Sequence, residues 1–306
     1  MNRECEQGFC SGAQKNAPAE KQRSPSKYRN TDSMNSLRWV IQENLGSSKE
    51  IEELFRACEK LGIEAMPVRI VPFSNEIPDI PNDKLAIFYG SANFVFNAKR
   101  CGKWNPCAFF DDETFRFSHW SNKYGSSVLN SDALICSMRD LSLSEHPNDE
   151  MFFIRPDRDL KEFSGQLISF EDYLVWYSKI DRSDLEMTIN PDTAIVVATP
   201  KNLSHEWRLF MVKNRYCTGS HYRSDGNLVV TPDVPDEVIQ FAETQANVWY
   251  PDAVYVLDVG QCENGFYIIE INGFNSTGFY SSNIYNIVHE VSEMVKNGEH
   301  RLPADA

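Results

Sequence analysis

The chain has 306 residues, 42% hydrophobic and 24% charged, with a formal net charge of −14, proportions that suit two globular domains or one large α/β unit of several lobes. They exclude a disulfide-stapled miniature and a wholly disordered chain, and the acidic surplus argues against bulk nucleic-acid or membrane binding, which draws on basic surface. No apolar run reaches the roughly eighteen residues of a membrane span, and no apolar leader is present, so a cytoplasmic protein is expected.

Residues 1–33 read as a disordered tail, rich in Gly, Ser, Lys, Gln, Asn and Pro and without apolar periodicity. Leu37 to Gln42 predicts a strand. Ser47-Ser48-Lys49-Glu50 is a capping box opening a helix with Ile51, Leu54, Phe55, Cys58 and Leu61 on its apolar face, ended by Gly62. Strands are expected at Glu64 to Val71 and Leu85 to Tyr89, then a helix after Gly90-Ser91. This order implies a parallel or mixed sheet with helices on its faces, an amino-terminal α/β domain over 34–148. Residues 104–145 are aromatic-rich and read as helical pieces.

A second block, 149–300, divides into a small lobe (149–200) and a larger one (201–300). Met151 to Ile154 and Gln166 to Ser169 predict strands around a polar loop, Asp157 to Gly165. A helix carrying Tyr173, Leu174, Trp176, Tyr177 and Ile180 follows, its aromatic stripe read as core, and then a strand from Ile195. Glu206 to Lys213 and Tyr216 to Tyr222 predict a hairpin turning at Asn214-Arg215. Pro235 fits the first position of a helix, two strands flank Glu263-Asn264-Gly265, and a last helix holds Ile284, Ile287, Val288, Val291, Met294 and Val295. The eight cysteines form no C-x-x-C pair and read as free thiols.

The strongest chemical signal is Tyr255-Val256-Leu257-Asp258 followed by Ile268-Ile269-Glu270-Ile271-Asn272-Gly273, two acids and an amide inside apolar strands. Glu270 and Asn272 share a strand face. A two-residue Asn264-Gly265 loop would set Asp258 opposite Ile271. A three-residue loop, favoured by Gly at its last position, would set Asp258 opposite Glu270 and Asn272 opposite Val256. Two opposed carboxylates call for a cation or a shared proton, and an oxygen-only set suits Mg²⁺; the alternative is pairing with distant Lys or Arg. Arg155, at a strand end, and Lys161 on the next loop suit phosphates, while Arg158 balances its flanking Asp157 and Asp159. Glu206 and Arg208 share one strand face and suggest a site floor or an ion pair. His205 and His221 read as surface or hydrogen-bonded residues. Ser276-Thr277-Gly278 offers backbone N–H groups to a phosphoryl, or simply leads into the last helix.

In that order, Arg155-Pro156 with Lys161, Glu206-Trp207-Arg208, Asp258 and Glu270-Ile271-Asn272-Gly273-Phe274-Asn275 resemble the ATP-grasp superfamily over about residues 37–296. The chain most resembles its divergent phage and bacterial clade, defined by two arginines and one lysine and related to a eukaryotic translation-initiation assembly factor. Arg155 stands where ordinary members carry Lys, and the 157–165 loop is shorter than their Gly-rich loop. The resemblance implies an α/β (α+β) ATP-grasp fold, an amino-terminal lobe and two lobes clamping ATP. It gives ATP phosphates to Arg155 and Lys161, an adenine slot to Ile195, Val196, Val197 and Ala198 with Glu206 nearby, the γ- or acyl phosphate to Arg208, and one or two Mg²⁺ to Asp258, Glu270 and Asn272. It implies a ligase joining a carboxylate to an amine, small-molecule, peptide or protein, through an acyl phosphate. A catalytically silent ATP-binding assembly factor and, further off, a metal-dependent nuclease are the competing readings.

Overall fold

The computed structural model describes residues 36–46, 48–71, 74–160, 162–181, 189–263 and 265–301; the expected tail over 1–33, Ser47 of the capping box, Lys161 and Asn264 lie outside them. The first sheet holds β1 (Leu37–Gln42), β2 (Glu64–Val68), β3 (Leu85–Tyr89) and β4 (Pro106–Cys107), with helices α1 (Ser48–Lys60) and α2 (Ala92–Cys101). Its order is β2-β1-β3-β4, all parallel. Every residue of β1 is buried, because a parallel sheet is covered on both faces. Trp39 and Ile41 pack on one side with Ile51, Leu54 and Cys58 of α1, while Val40 packs on the other with Phe94, Val95 and Ala98 of α2. The second strand stops at Val68 rather than running to Val71. Beyond it the Asn44 side chain satisfies both the N–H and the C=O of Ile70, at 3.0 and 2.8 Å, so no neighbouring strand is needed there.

Next come α3 (Phe117–Tyr124), β5 (Leu134–Ser137), α4 (Met138–Ser142), β6 (Met151–Pro156), β7 (Gln166–Ser169), α5 (Phe170–Asp181) and β8 (Ala194–Ala198). The strands form an antiparallel sheet in the order β5-β8-β6-β7. This sheet therefore starts at Leu134, inside the segment read as amino-terminal and helical. Met138, Leu141, Phe170 and Tyr173 cover one face, and the Tyr173 hydroxyl donates to the Met138 carbonyl; of the aromatic stripe of α5, Tyr173 is core, and Trp176 and Tyr177 pack half-buried against it.

The central sheet contains β9 (His205–Val212), β10 (Arg215–Ser224), β11 (Asn227–Thr231), β12 (Val254–Cys262) and β13 (Gly265–Gly273), ordered β11-β10-β9-β12-β13. The β9–β10 turn is Lys213-Asn214, one residue earlier than expected. Both residues have positive φ, 50° and 61°, the requirement of a type I′ hairpin. Helix α6 (Asp236–Val248), which Pro235 precedes, and α3 cover one face through Val238, Ala242, Phe117 and Trp120. On the other face Phe210, Val254 and Val256 join the core of the first sheet. The last helix, α7 (Ile284–Lys296), returns to that core: Ile287, Val288 and Val291 are fully buried in it, and Trp39 Nε1 donates to Ser292 Oγ at 2.9 Å. Among the described residues no helix is long and apolar enough to cross a membrane.

Gly219 of β10 lies opposite Leu209, where an added Cβ would come within 2.8 Å of the Arg208 carbonyl oxygen. A backbone carbonyl inside a sheet cannot swing aside. Gly219→Ala is expected to cost about 2 kcal/mol, measured by urea denaturation.

Candidate active site

The β12–β13 hairpin settles its own register in a way neither loop reading foresaw. Cys262 pairs with Gly265, which leaves room for a two-residue tip, and from there Val259 pairs with Ile268. The register then shifts by one residue between Val259 and Asp258, leaving Ile269 as the extra residue of a β-bulge. An added Cβ on Gly260 would lie 2.8 Å from Ile269 Cγ2, so the missing side chain gives the bulge room. Beyond it, Asp258 pairs with Glu270 and Val256 with Asn272, the pairing expected of a three-residue loop, reached by a two-residue loop plus a bulge.

On its other edge Asp258 pairs with Arg208 of β9. Arg208, Asp258 and Glu270 thus form one rung across three strands, all pointing to the same side. The guanidinium grips the Asp258 carboxylate in a fork, Nε to Oδ1 at 2.9 Å and Nη2 to Oδ2 at 2.7 Å. Glu270 receives Arg155 Nη2 at 3.0 Å, from β6 of the small sheet. Asn272 Nδ2 lies 3.5 Å from Asp258 Oδ2. The expected convergence of Arg155, Arg208, Asp258, Glu270 and Asn272 is therefore present, with each acid also matched to an arginine. Asp258 is 1% exposed and the Glu270 side chain 34%, so Glu270 is the carboxylate that solvent reaches. Burial works to lower the Arg208 pKa, but the Asp258 fork outweighs it and holds the guanidinium above its ordinary value. Burial pushes the Asp258 carboxyl up against the pull of Arg208, and Glu270 adds to the rise.

Glu206, one rung further along β9, is buried and accepts the Tyr222 hydroxyl at 2.8 Å, with Arg223 at 3.3 Å. Burial, with Asp258 and Glu206 behind it, raises the Tyr222 phenol well above its usual value. The rings of Tyr222 and Tyr280 stack with centroids 5.0 Å apart and planes at 2°, and Arg208 Cζ lies 5.0 Å from the Tyr280 centroid, a cation–π contact. The sequence reading missed both tyrosines. Tyr222 carried no alternation signal, because it is the extra residue of a bulge between His221, which pairs with Trp207, and Arg223, which pairs with Glu206. Tyr280 carried none, because it reaches the site through a turn at φ 51°. His205 and His221 bond to each other at 3.2 Å beside Trp207, on alternate positions from the charged rungs.

In the small sheet Arg155 pairs with Val196, and Phe153 with Ala198 and Leu167, so these side chains share the face that carries Arg155. Of the four residues expected to line an adenine slot, Val196 and Ala198 lie on that face. Ile195 and Val197 point the other way, into the core with Met138, Phe152 and Tyr173. The segment after β6 is anchored. Asp157 accepts the Ser118 N–H at 2.8 Å at the start of α3, and Asp159 accepts the Gly273 N–H at 2.7 Å. Arg158 forks onto Asp112, at 2.9 and 2.7 Å, rather than balancing its flanking aspartates. Lys161, expected on phosphates, lies outside the described residues. Asn275, the last residue of the acid-x-Asn stretch, is structural: it accepts Phe109 N–H at 2.8 Å and donates to the Phe88 carbonyl at 2.6 Å, pinning the end of β13 to the first sheet. Thr277 Oγ1 likewise donates to the Gly273 carbonyl at 2.8 Å.

Asp258, Glu270 and Asn272 offer a hard dication oxygen donors on adjacent rungs, and by the chemistry of that donor set they fit Mg²⁺. Among the described residues no group of three or more His, Cys, Asp or Glu clusters to hold a metal; the set is two acids and an amide.

A family model matches residues 132–289, just over half of the chain; it describes an ATP-grasp domain, family 2 of the clade named for its two arginines and one lysine. The chain belongs to this ATP-grasp family. The matched segment opens just before β5 and so takes in all of the small sheet and the central one. Among solved structures, a RimK domain ATP-grasp protein from Sphaerobacter thermophilus is similar at a TM-score of 0.55 and 13% identity, over 86% of this chain and 98% of that one. A D-alanine–D-alanine ligase from Bacillus anthracis gives 0.53 and 9%, over 86% and 99%. An L-amino acid ligase from Bacillus licheniformis gives 0.53 and 10%, over 88% and 76%. At such identities the likeness establishes the ATP-grasp fold. No curated protein matches the sequence.

The two ion pairs of this ATP-grasp cleft differ in burial, and so in what their loss costs. Asp258→Asn leaves the Arg208 guanidinium buried without its counter-charge and is expected to cost about 3 kcal/mol. Glu270→Gln removes a carboxylate whose side chain is 34% exposed but takes this counter-charge from Arg155, whose side chain is 8% exposed, and is expected to cost less, about 1–2 kcal/mol. Urea denaturation of both variants checks the difference.

Proposed function

We propose that this protein is an ATP- and Mg²⁺-dependent ligase joining a carboxylate to an amine, with a peptide or protein among its acceptors. The observation that carries the reading is the rung Arg208, Asp258, Glu270 with Arg155 closing on it from the small sheet: two oxygen ligands lie side by side with a cation on each flank, in a cleft between two ATP-grasp sheets. The adenine would lie against Val196, Ala198, Phe153 and Leu167. Arg155 and Lys161 would hold the α- and β-phosphates, and Arg208 the γ-phosphate. Asp258, Glu270 and Asn272 would hold the metal, whose part is to neutralise phosphate charge. Because Glu270 is already matched to Arg155, that arginine would turn from it to phosphate oxygens as the metal-bound nucleotide enters, while Arg208 would keep its Asp258 fork and meet phosphate through its remaining N–H groups.

In the reaction the substrate carboxylate attacks the γ-phosphorus, forming an acyl phosphate and releasing ADP. The amine then attacks the acyl carbon, inorganic phosphate leaves, and the amine loses a proton as the amide forms. Such a sequence needs charge neutralisation and positioning rather than a protein nucleophile, which is what two arginines and an oxygen-lined rung supply. The family and fold turn the metal site away from nuclease chemistry.

Mg·ATP at about a hundredfold its Kd is expected to stabilise the protein by about 2.7 kcal/mol, roughly a 5–10 °C rise in Tm. EDTA or Glu270→Ala should remove most of that rise in a thermal-shift titration, and no rise in the wild type would overturn the reading. ADP and phosphate release on adding carboxylate and amine pools then separates a ligase from an ATP-binding assembly factor.

A further inference from the structure

The Glu50 side chain leaves its own helix. Its Oε1 accepts the backbone N–H groups of Phe279 at 3.0 Å and Tyr280 at 2.9 Å, some 230 residues further along the chain. These two amides belong to a turn that enfolds Arg208. The Gly278 carbonyl accepts from Arg208 Nη1 at 3.4 Å, and the Tyr280 ring lies over the guanidinium while stacking on Tyr222. To place the ring there, Tyr280 takes φ 51°, a left-handed conformation that a bulky L-residue adopts only when its surroundings compel it. The fully buried Phe279 ring, stacked on Tyr89 and Phe210, anchors the turn in the core, and the two charge-assisted bonds to one carboxylate oxygen orient its adjacent amides. Tyr280 is 38% exposed and sits at the rim of the cleft, so burial alone does not hold it.

We propose that Glu50 is a positioning residue for Arg208: by holding the 278–280 turn it lays Tyr280 against the guanidinium and aims a cation it does not touch. The proposal rests on the reading that Arg208 meets the γ-phosphate. It assigns the amino-terminal sheet domain a part in nucleotide discrimination, because α1 belongs to that domain while Arg208 belongs to the central sheet. Asp258 fixes one edge of the guanidinium and Tyr222 with Tyr280 its face; the Tyr280 and Gly278 contacts are the ones made by the turn that Glu50 holds.

The test is the ratio of ATP to ADP affinity, measured on the full chain with Mg²⁺ by thermal-shift titration or calorimetry. A residue that merely stabilises the fold would lower both affinities alike or neither. Glu50→Ala is expected to reduce the preference for ATP over ADP about tenfold while ADP affinity stays within about twofold. Glu50→Gln, which keeps an acceptor oxygen, should recover much of the preference, and Tyr280→Ala should reproduce the loss. An unchanged ratio in Glu50→Ala overturns the proposal. A second readout needs no nucleotide: with 3-fluorotyrosine incorporated, the ¹⁹F resonance of Tyr280, assigned by its absence in Tyr280→Phe, should shift in Glu50→Ala and in Arg208→Ala. If the wild type binds no ATP, the reading of Arg208 fails by itself. The ¹⁹F signal still decides the link from Glu50 to Tyr280, and an unmoved resonance in Glu50→Ala overturns it.

Discussion

A guanidinium that is nearly buried must have a carboxylate within reach, and the Arg208–Asp258 fork is the contact around which this cleft is organised. It forces β9 and β12 to be neighbours in a register that faces the two charges, and the bulge at Ile269 brings Glu270 onto the same rung. Apolar residues of the same strands, Phe210 and Val256, sit one rung below in the core. Two strand positions thus separate close packing from ionic chemistry. The side chains cannot adjust by sliding, because a one-residue slip would send the charges into the opposite core.

Much of this was legible in the sequence because it depends on local rules. The paired acids, the alternation that joins Glu270 to Asn272, and the strands around Arg155 and Arg208 all follow from period-two patterning. The rest is set by contacts distant in the chain. The bulge is not visible in a loop count: a two-residue tip and one extra residue give the same acid pairing as a three-residue tip. Ile195 and Val197 look like slot residues until the neighbours of β8 are known, since alternation says that two of four point away but not which two. Arg158 is flanked by acids and still chooses Asp112, because its neighbours are already committed, Asp157 to α3 and Asp159 to Gly273. Asn275 reads as part of a ligand motif, yet both ends of its amide are taken by backbone.

The acidic surplus acquires a local meaning here. Within the cleft the acids do not outnumber the arginines; Arg155 and Arg208 each face one carboxylate. Local neutrality lets opposed acids sit a strand spacing apart without driving the sheet open. The difference in exposure between Asp258 and Glu270 divides their duties: the buried acid secures the fold of the floor, and the accessible one can exchange partners.

The return of α7 to the first sheet has a consequence for how the chain is made. Trp39 of β1 finds Ser292 and the apolar face of α7 only after the 253 residues of chain that separate Trp39 from Ser292 have been made. Until then that side of the amino-terminal sheet is covered by α1 alone, while the small and central sheets can already pair within themselves. Of the three sheets the one that comes earliest in chain order is completed last, and during that interval the apolar side awaiting α7 is a surface for a chaperone.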